Sequence, residues 1–324
     1  AHHPAAYMAA VLSSDMDNTD KIVLFIDDCR GLKLKIAPPD INLCEYQFKV
    51  LDEKNIAYGL GAVKGAGQAA IEEIVATRKK GGPFTDLFDF CQREKEKKMN
   101  RRVLEALIKC GAFDKIGPHR ASIMNSLERA LQHAEQSLRD KTHGQHDLFG
   151  MLPAKTDSIS YVKTREWSEH DRLFGEKETL GLYLTGHPIH RYLSELENFT
   201  SDRISELRPT GKNATSTVAG IITSMRVIQT KRGDRMAVAT MDDSSGQIDV
   251  LCFSDIFNQS RELLVKDALI IVVGEISLDR RTRIESRLQL RLMFAGCFLG
   301  VHQLGFERRR GLIVDAVGVV EQRQ

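Results

Sequence analysis

Gly59-Leu60-Gly61-Ala62-Val63-Lys64-Gly65-Ala66-Gly67-Gln68-Ala69-Ala70-Ile71 and, further along, Leu107-Ile108-Lys109-Cys110-Gly111-Ala112-Phe113-Asp114-Lys115-Ile116-Gly117-Pro118-His119-Arg120 decide how this 324-residue chain folds. Each stretch runs an apolar turn into a glycine bend, Gly65-Ala66-Gly67 in the first and Gly111 with Gly117 in the second, and a new helix follows at once. This is a helix-hairpin-helix plan, used twice. Glycine permits φ > 0 and carries no Cβ, so the amides of Gly65, Ala66, Gly67 and Gln68 can converge on one anion at a helix start. Backbone amides contact phosphate and not base edges, so such a grip is insensitive to base sequence. Lys64 at the first bend, and His119 and Arg120 after the Gly117 bend, can add charge to it. The plainer alternative is that the glycines only cap helices.

Net charge is only +2, which by itself points to no polyanion. Its distribution is more informative: thirteen Lys and Arg face eight Asp and Glu between Gly59 and Arg120, a local excess of +5 around the two bends. A phosphate-tracking surface needs such an excess. With 42% hydrophobic and 28% charged residues the chain is of globular type, and its length asks for two or three domains. The six cysteines form no Cys-x-x-Cys pair, which argues against a zinc site or a disulfide framework and for the cytoplasm. No apolar run is long enough for a membrane span and no signal peptide opens the chain. The start at Ala1 without methionine suggests a piece of something longer.

Outward from the bends, Pro4 to Leu12 and Thr19 to Arg30 read as helices, the second capped by Asn18 or Thr19. Asp15, Asp17 and Asp20 lack the glycine and distal glutamate of a calcium loop, so capping is the reading. Tyr46 to Val50 and Ile56 to Leu60 flank a polar turn as a β-hairpin. Helices are expected over Ala69 to Lys80, Arg101 to Cys110 with Asn100 as cap, and from Arg120 along an amphipathic stripe to Leu138. Next comes Gln145-His146-Asp147-Leu148-Phe149-Gly150, where an isolated Leu-Phe pair in a polar segment is a docking-peptide candidate: Leu148 and Phe149 as anchors, Gln145 and Asp147 at the rim. The alternative is that the pair folds back on its own domain. His143 with His146, and His187 with His190, lack a third ligand, so no metal is expected.

Pro153 to Ser168 reads as linker, Glu169 to Thr185 and Pro188 to Phe199 as a helical bridge. Thr215 to Val227, Met236 to Asp242 and Gln247 to Phe253 are β-rich, and the amphipathic segment Ile256 to Leu264 precedes a fourth run, Ala268 to Leu278. Leu288 to Phe294 can supply a fifth strand. That order is the one expected of an oligonucleotide/oligosaccharide-binding (OB) barrel. Its first loop carries Lys231 and Arg232, which can hold single-stranded nucleic acid by its backbone; Phe253 and Phe257 are the nearby stacking candidates, and a purely structural barrel fits equally well.

Ala9-Ala10-Val11-Leu12 with Asp17-Asn18-Thr19, Pro38-Pro39-Asp40-Ile41-Asn42, the Gly59 to Gly65 and Leu107 to Asp114 stretches, and Leu180-Gly181-Leu182-Tyr183-Leu184-Thr185-Gly186-His187-Pro188 resemble the bacterial replicative DNA polymerase III alpha subunit, from Ala1 to about Leu278. The resemblance implies an end of the polymerase fingers over 1–45, a tandem helix-hairpin-helix domain over 46–142 that contacts duplex DNA, and a sliding-clamp-binding peptide over 143–152. It further implies a linker and helical bridge over 153–210, an OB-fold over 211–295 near the template strand, and leaves 296–324 unassigned. The family is a nucleotidyltransferase working with other replicase subunits, but its catalytic aspartates and their Mg2+ belong to a palm domain upstream. This chain carries no catalytic residue, needs no cofactor of its own, and is expected to be inactive alone. The alternative is a stand-alone clamp-recruited DNA-binding module. A DNA ligase, which also joins such hairpins to a barrel, would need a Lys-x-Asp-Gly nucleophile that is absent.

Overall fold

The computed structural model describes residues 2–94, 100–142, 160–208, 215–230, 233–279 and 287–297. The chain forms two compact units, Ala1–Gly186 and His187–Gln324. Unit one is helical. Helix α1 (Pro4–Ser14) starts on a proline, and α2 (Thr19–Gly31) starts on Asn18, whose side chain accepts from the Lys21 amide at 3.2 Å. Gly31 is thus the last helical residue and not the one beyond it. Three short strands follow: β1 (Lys35–Ala37), β2 (Lys49–Val50) and β3 (Asn55–Ala57). The expected hairpin is β2 with β3, paired Lys49 to Ala57; β1 adds a parallel strand on the other edge of β3, a pairing absent from the sequence reading.

A 3-10 turn at Leu60–Ala62 leads through the first bend into α3 (Gln68–Gly81). Helix α4 (Leu87–Glu94) was not foreseen, because Gly81-Gly82-Pro83 masks the start of a short helix that buries Leu87, Phe88, Phe90 and Cys91. Helix α5 (Arg101–Lys109) is capped by Asn100, whose side chain accepts from the Arg102 amide at 3.0 Å. The second bend then opens α6 (Arg120–Thr142), and α7 (Glu169–Leu180) closes the unit. It ends five residues earlier than expected, because Gly181 takes the left-handed conformation, φ 81°, against the Thr19 side chain.

One core runs from Ala5 to Leu182, across the boundary at residue 45. The Ile41 amide donates to the Ala112 carbonyl at 2.8 Å, and the Arg78 guanidinium donates to the carbonyls of Ile41 and Cys44. Residues 160–168, expected as linker, are tied to this core: the Leu87 amide donates to the Tyr161 hydroxyl, Ser122 donates to the Val162 carbonyl, and the Val162 amide donates to Ser126. Their lack of periodicity reflects an extended strap that finds its hydrogen bonds on helix side chains.

In unit two, 3-10 turns at Pro188–Tyr192 and Ile204–Glu206 and a short α8 (Leu193–Leu196) precede a closed five-stranded barrel. Its strands are β4 (Thr215–Gln229), β5 (Arg235–Asp242), β6 (Gln247–Cys252), β7 (Leu269–Asp279) and β8 (Arg287–Cys297), in spatial order β4-β5-β6-β8-β7. Helix α9 (Ser254–Ser260) sits between β6 and β7 and buries Phe257 in the barrel core. The fifth strand is complete in backbone: β8 pairs antiparallel with β7 and parallel with β6. Strand β4 is buried on both faces at its middle. Val218 and Ile222 face the barrel core, whereas Ala219 and Ile221 pack with Ile189 and Leu196.

Candidate nucleic-acid interface

The four glycines of the first bend divide by cause. A Cβ on Gly59 would meet the Phe48 amide nitrogen at 2.7 Å, and one on Gly61 would meet the Tyr46 ring, so these two are packing glycines. Gly65 sits at φ 85°, which Cβ-bearing residues rarely adopt. Gly67 is different. It caps α3 in an ordinary extended conformation with nothing within 4 Å of its would-be Cβ and no side-chain cap for the helix.

Among the described residues, the amides of Gly65, Gly67, Gln68 and Ala69 meet no acceptor, and these four residues and Lys64 are exposed. The Lys64 amide donates to the Thr179 carbonyl at 2.8 Å, which pins the bend to the end of α7 and leaves the lysine side chain outside. Gln68 turns its side chain along α3 to Glu72 at 2.8 Å, leaving its amide as its contribution to the bend. Ala66 does not join the set expected from sequence. It is buried, and its amide already donates to the Val63 carbonyl at 3.0 Å, closing the turn.

The second bend departs further from expectation. Arg120 is 5% exposed and is not a surface cation. Its Nε and Nη2 donate to the Asp114 carboxylate at 2.7–3.1 Å, and its Nη1 donates to the Lys109 carbonyl at 3.0 Å and to Glu176 Oε1 at 3.1 Å. Burial works against the guanidinium charge, but the bonds to Asp114 and the fields of Asp114 and Glu176 prevail and raise its pKa. Glu176 is itself fully buried and accepts from the amides of Leu184 and Thr185 and from the Thr185 hydroxyl.

His119 caps α6: its Nδ1 accepts from the Ser122 amide at 3.2 Å, a structural task that the sequence did not show. Gly111 is buried at φ 88°, and a Cβ there would strike Arg120 Nη2. Gly117 has no positive φ, and a Cβ would meet the Ile123 side chain at 2.8 Å, so this glycine packs closely against α6. Sequence reading missed Glu176 and Thr179, which hold the two bends from a distant helix. No local signal marks them, beyond an acid and a hydroxyl on the inner face of α7.

In the barrel, at the facing ends of β4 and β5, the Thr230 amide donates to the Asp234 carbonyl at 2.8 Å and Gly233 sits at φ 93°. Lys231 and Arg232 lie outside the described residues, as do Gln145, Asp147, Leu148 and Phe149. Arg226 of β4 and Arg235 of β5 are exposed. Phe253 is 40% exposed, but Phe257 is core and offers no stacking face. The β5–β6 turn is clasped by Asp243, which accepts from the amides of Ser245 and Gly246 and, across the unit, from that of Ile204.

The histidines at 187 and 190 lie with ring centroids 6.0 Å apart. His187 Nδ1 accepts from the Ile189 amide, and its Nε2 lies 3.4 Å from Asp242. Among the described residues no group of three or more His, Cys, Asp or Glu could hold a metal, and no helix is long and apolar enough to cross a membrane. Burial pushes the thiols of Cys29, Cys44 and Cys252 up to about 11 and those of Cys91 and Cys110 up to about 12.

A glycine bend with open amides at a helix start, in one unit, and a closed β4-β5-β6-β8-β7 barrel, in the other, define a helix-hairpin-helix and OB-fold protein of the nucleic-acid-binding class. Family models agree: "Helix-hairpin-helix motif" matches residues 33–123 and "OB-fold nucleic acid binding domain" matches 216–292. More particularly, the chain is homologous to the DNA polymerase III subunit alpha. It is 49% identical to that of Escherichia coli K12 over 282 residues and 47% identical to that of Haemophilus influenzae over 280, covering 86% of this chain and 24% of each of those. Against the Pseudomonas aeruginosa subunit it is 46% identical over 296 residues, 86% of this chain and 25% of that one. The chain thus spans about a quarter of the length of these relatives. Asparaginyl-tRNA synthetase of Entamoeba histolytica aligns in structure over 37% of this chain and 31% of its own at 10% identity, with a TM-score of 0.24.

Proposed function

We propose that this chain is the DNA-holding, clamp-tethered portion of a bacterial replicative DNA polymerase alpha subunit, serving DNA-templated DNA synthesis in the cytoplasm. One observation supports the DNA contact most directly: the open amides of Gly65, Gly67 and Gln68 at the start of α3, beside the exposed Lys64. Gly67 in particular is required by no steric contact within the protein. Its bareness keeps the approach to the helix start clear, where amide dipoles favour an anion. In this reading the first bend grips duplex phosphates. The β4–β5 loop with Lys231 and Arg232 meets single-stranded template, and Gln145, Asp147, Leu148 and Phe149 dock on the sliding clamp. Polymerisation, with its Mg2+ and the other replicase subunits, belongs to the longer protein, and no step of it is assigned to residues of this chain.

Replacing Gly67 with Asp tests the cradle. The carboxylate would occupy the amides as an N-cap, keeping the helix stable and repelling phosphate. Duplex affinity in a fluorescence titration should fall about tenfold or more across all base sequences, while the urea midpoint holds or rises. Lys64→Ala should flatten the salt dependence by about one counterion. A loss that varies with base sequence would refute phosphate gripping. The clamp contact is tested separately: Leu148→Ala with Phe149→Ala should abolish clamp capture and leave the DNA titration as it was.

A further inference from the structure

The second bend does not repeat the first. Its arginine is buried in ion pairs and its Gly117 packs against Ile123, yet a pocket of about 110 Å³ opens beside it. Pro118 and His119 of the bend, Glu166 and Trp167 of the strap, and Arg172 of α7 line it, together with the Arg120–Asp114 pair.

Its construction is local. Ser168 caps α7 in a capping box with Asp171, so Trp167 and Arg172 occupy the positions just before the cap and four residues after it. Side chains at those positions meet over the first helical turn, usually as two apolar groups. Here the two positions hold an indole and a guanidinium, and both line the pocket. Among the described residues the side chains of Glu166, Trp167 and Arg172 have no hydrogen-bond or ion-pair partner, and Trp167 and Arg172 are half-buried. Because His119 Nδ1 accepts the Ser122 amide, a neutral ring carries its proton on Nε2, as a donor.

An aromatic wall with two donors and a carboxylate around it is a recognition set for a heterocyclic base: the π-face stacks, and the edge offers acceptors to Arg172 and His119 and donors to Glu166. A phosphate would have no use for the indole, and an apolar side chain none for the charges. We propose that this pocket takes one unpaired nucleobase of a DNA strand, so that the first bend holds the paired backbone and the second holds a base released from pairing. The proposal rests on the nucleic-acid reading above.

Trp167 is the chain's single tryptophan, so its emission reports the pocket alone. The full chain is titrated with labelled blunt duplex, the same duplex with a single-stranded overhang, that overhang made abasic, and free deoxynucleoside monophosphates. DNA anisotropy and tryptophan fluorescence are read together. Expected are an anisotropy rise with every DNA and quenching only by the overhang that carries bases. Trp167→Ala should weaken overhang binding about tenfold, with Trp167→Phe retaining most of it, a loss of the size that one base stack contributes. Arg172→Ala should reduce both quenching and overhang preference. Overhang binding without quenching, or equal quenching by blunt duplex, abasic overhang or free nucleotide, would overturn the base pocket and leave the phosphate cradle standing. No anisotropy change with any DNA would overturn both.

Discussion

Gly65 and Gly111 share a left-handed backbone, at φ 85° and 88°, but their surroundings differ. The nearest atom to a Cβ on Gly65 is the Ala106 methyl at 4.0 Å, whereas a Cβ on Gly111 would collide with the Arg120 guanidinium. Gly65→Ala should therefore cost only the conformational strain, roughly 1–2 kcal/mol, and Gly111→Ala distinctly more, because the Arg120 bonds must be rearranged. Urea denaturation of the two variants checks the order. Arg120 itself is buried in ion pairs with Asp114 and Glu176 and holds the second bend together. Arg120→Ala leaves the fully buried Glu176 without its cation and should destabilise unit one by about 3–5 kcal/mol. A weakened DNA titration with an unchanged urea midpoint would contradict this.

At the scale of elements, helix starts depend on short polar side chains reaching back to amides, so Asn100→Ala should cost α5 about 1 kcal/mol in the same assay. The barrel carries a pH-sensitive joint of comparable locality. Asp242, at the end of β5, is half-buried, which raises its pKa, but bonds with His187, the Ser244 amide and Gln247 outweigh burial and lower it overall. A folded pKa below the unfolded value of about 3.9 means stability is fully present above that value and lost as pH falls through the folded one. His187→Ala should raise the acid midpoint of unit two, read by near-UV circular dichroism. The buried thiols make a parallel point: with pKa values of about 11–12, the five cysteines of the described core should resist thiol reagents at pH 8 until the chain is unfolded.

At the scale of the whole molecule, the two units have separate cores, one from Ala5 to Leu182 and another inside the barrel from Ile204 to Leu292. A fragment of residues 187–324 should accordingly fold alone, with a cooperative melt and a β-rich circular dichroism spectrum; a featureless melt would count against that independence. The legibility of the sequence follows the range of the interactions. Helix starts at Asn18 and Asn100, the β2–β3 hairpin, the glycine bends and the order of barrel strands were readable, because capping, φ > 0 and period-two burial are decided within a few residues. The fates of Ala66, His119 and Arg120 were not. A charged or small residue after a glycine bend looks the same in sequence whether it faces phosphate or protein, and what buries Arg120 is Glu176, on another helix. The strap at 160–168, the parallel strand β1 and the hold of Thr179 on Lys64 share that cause, since each rests on a hydrogen bond between segments far apart in the chain. The residues alone thus determined that there are two bends and a barrel. Only tertiary packing decided that one bend stays open to solvent and the other is closed by its own ion pairs, because burial and long-range pairing are properties of the assembled fold.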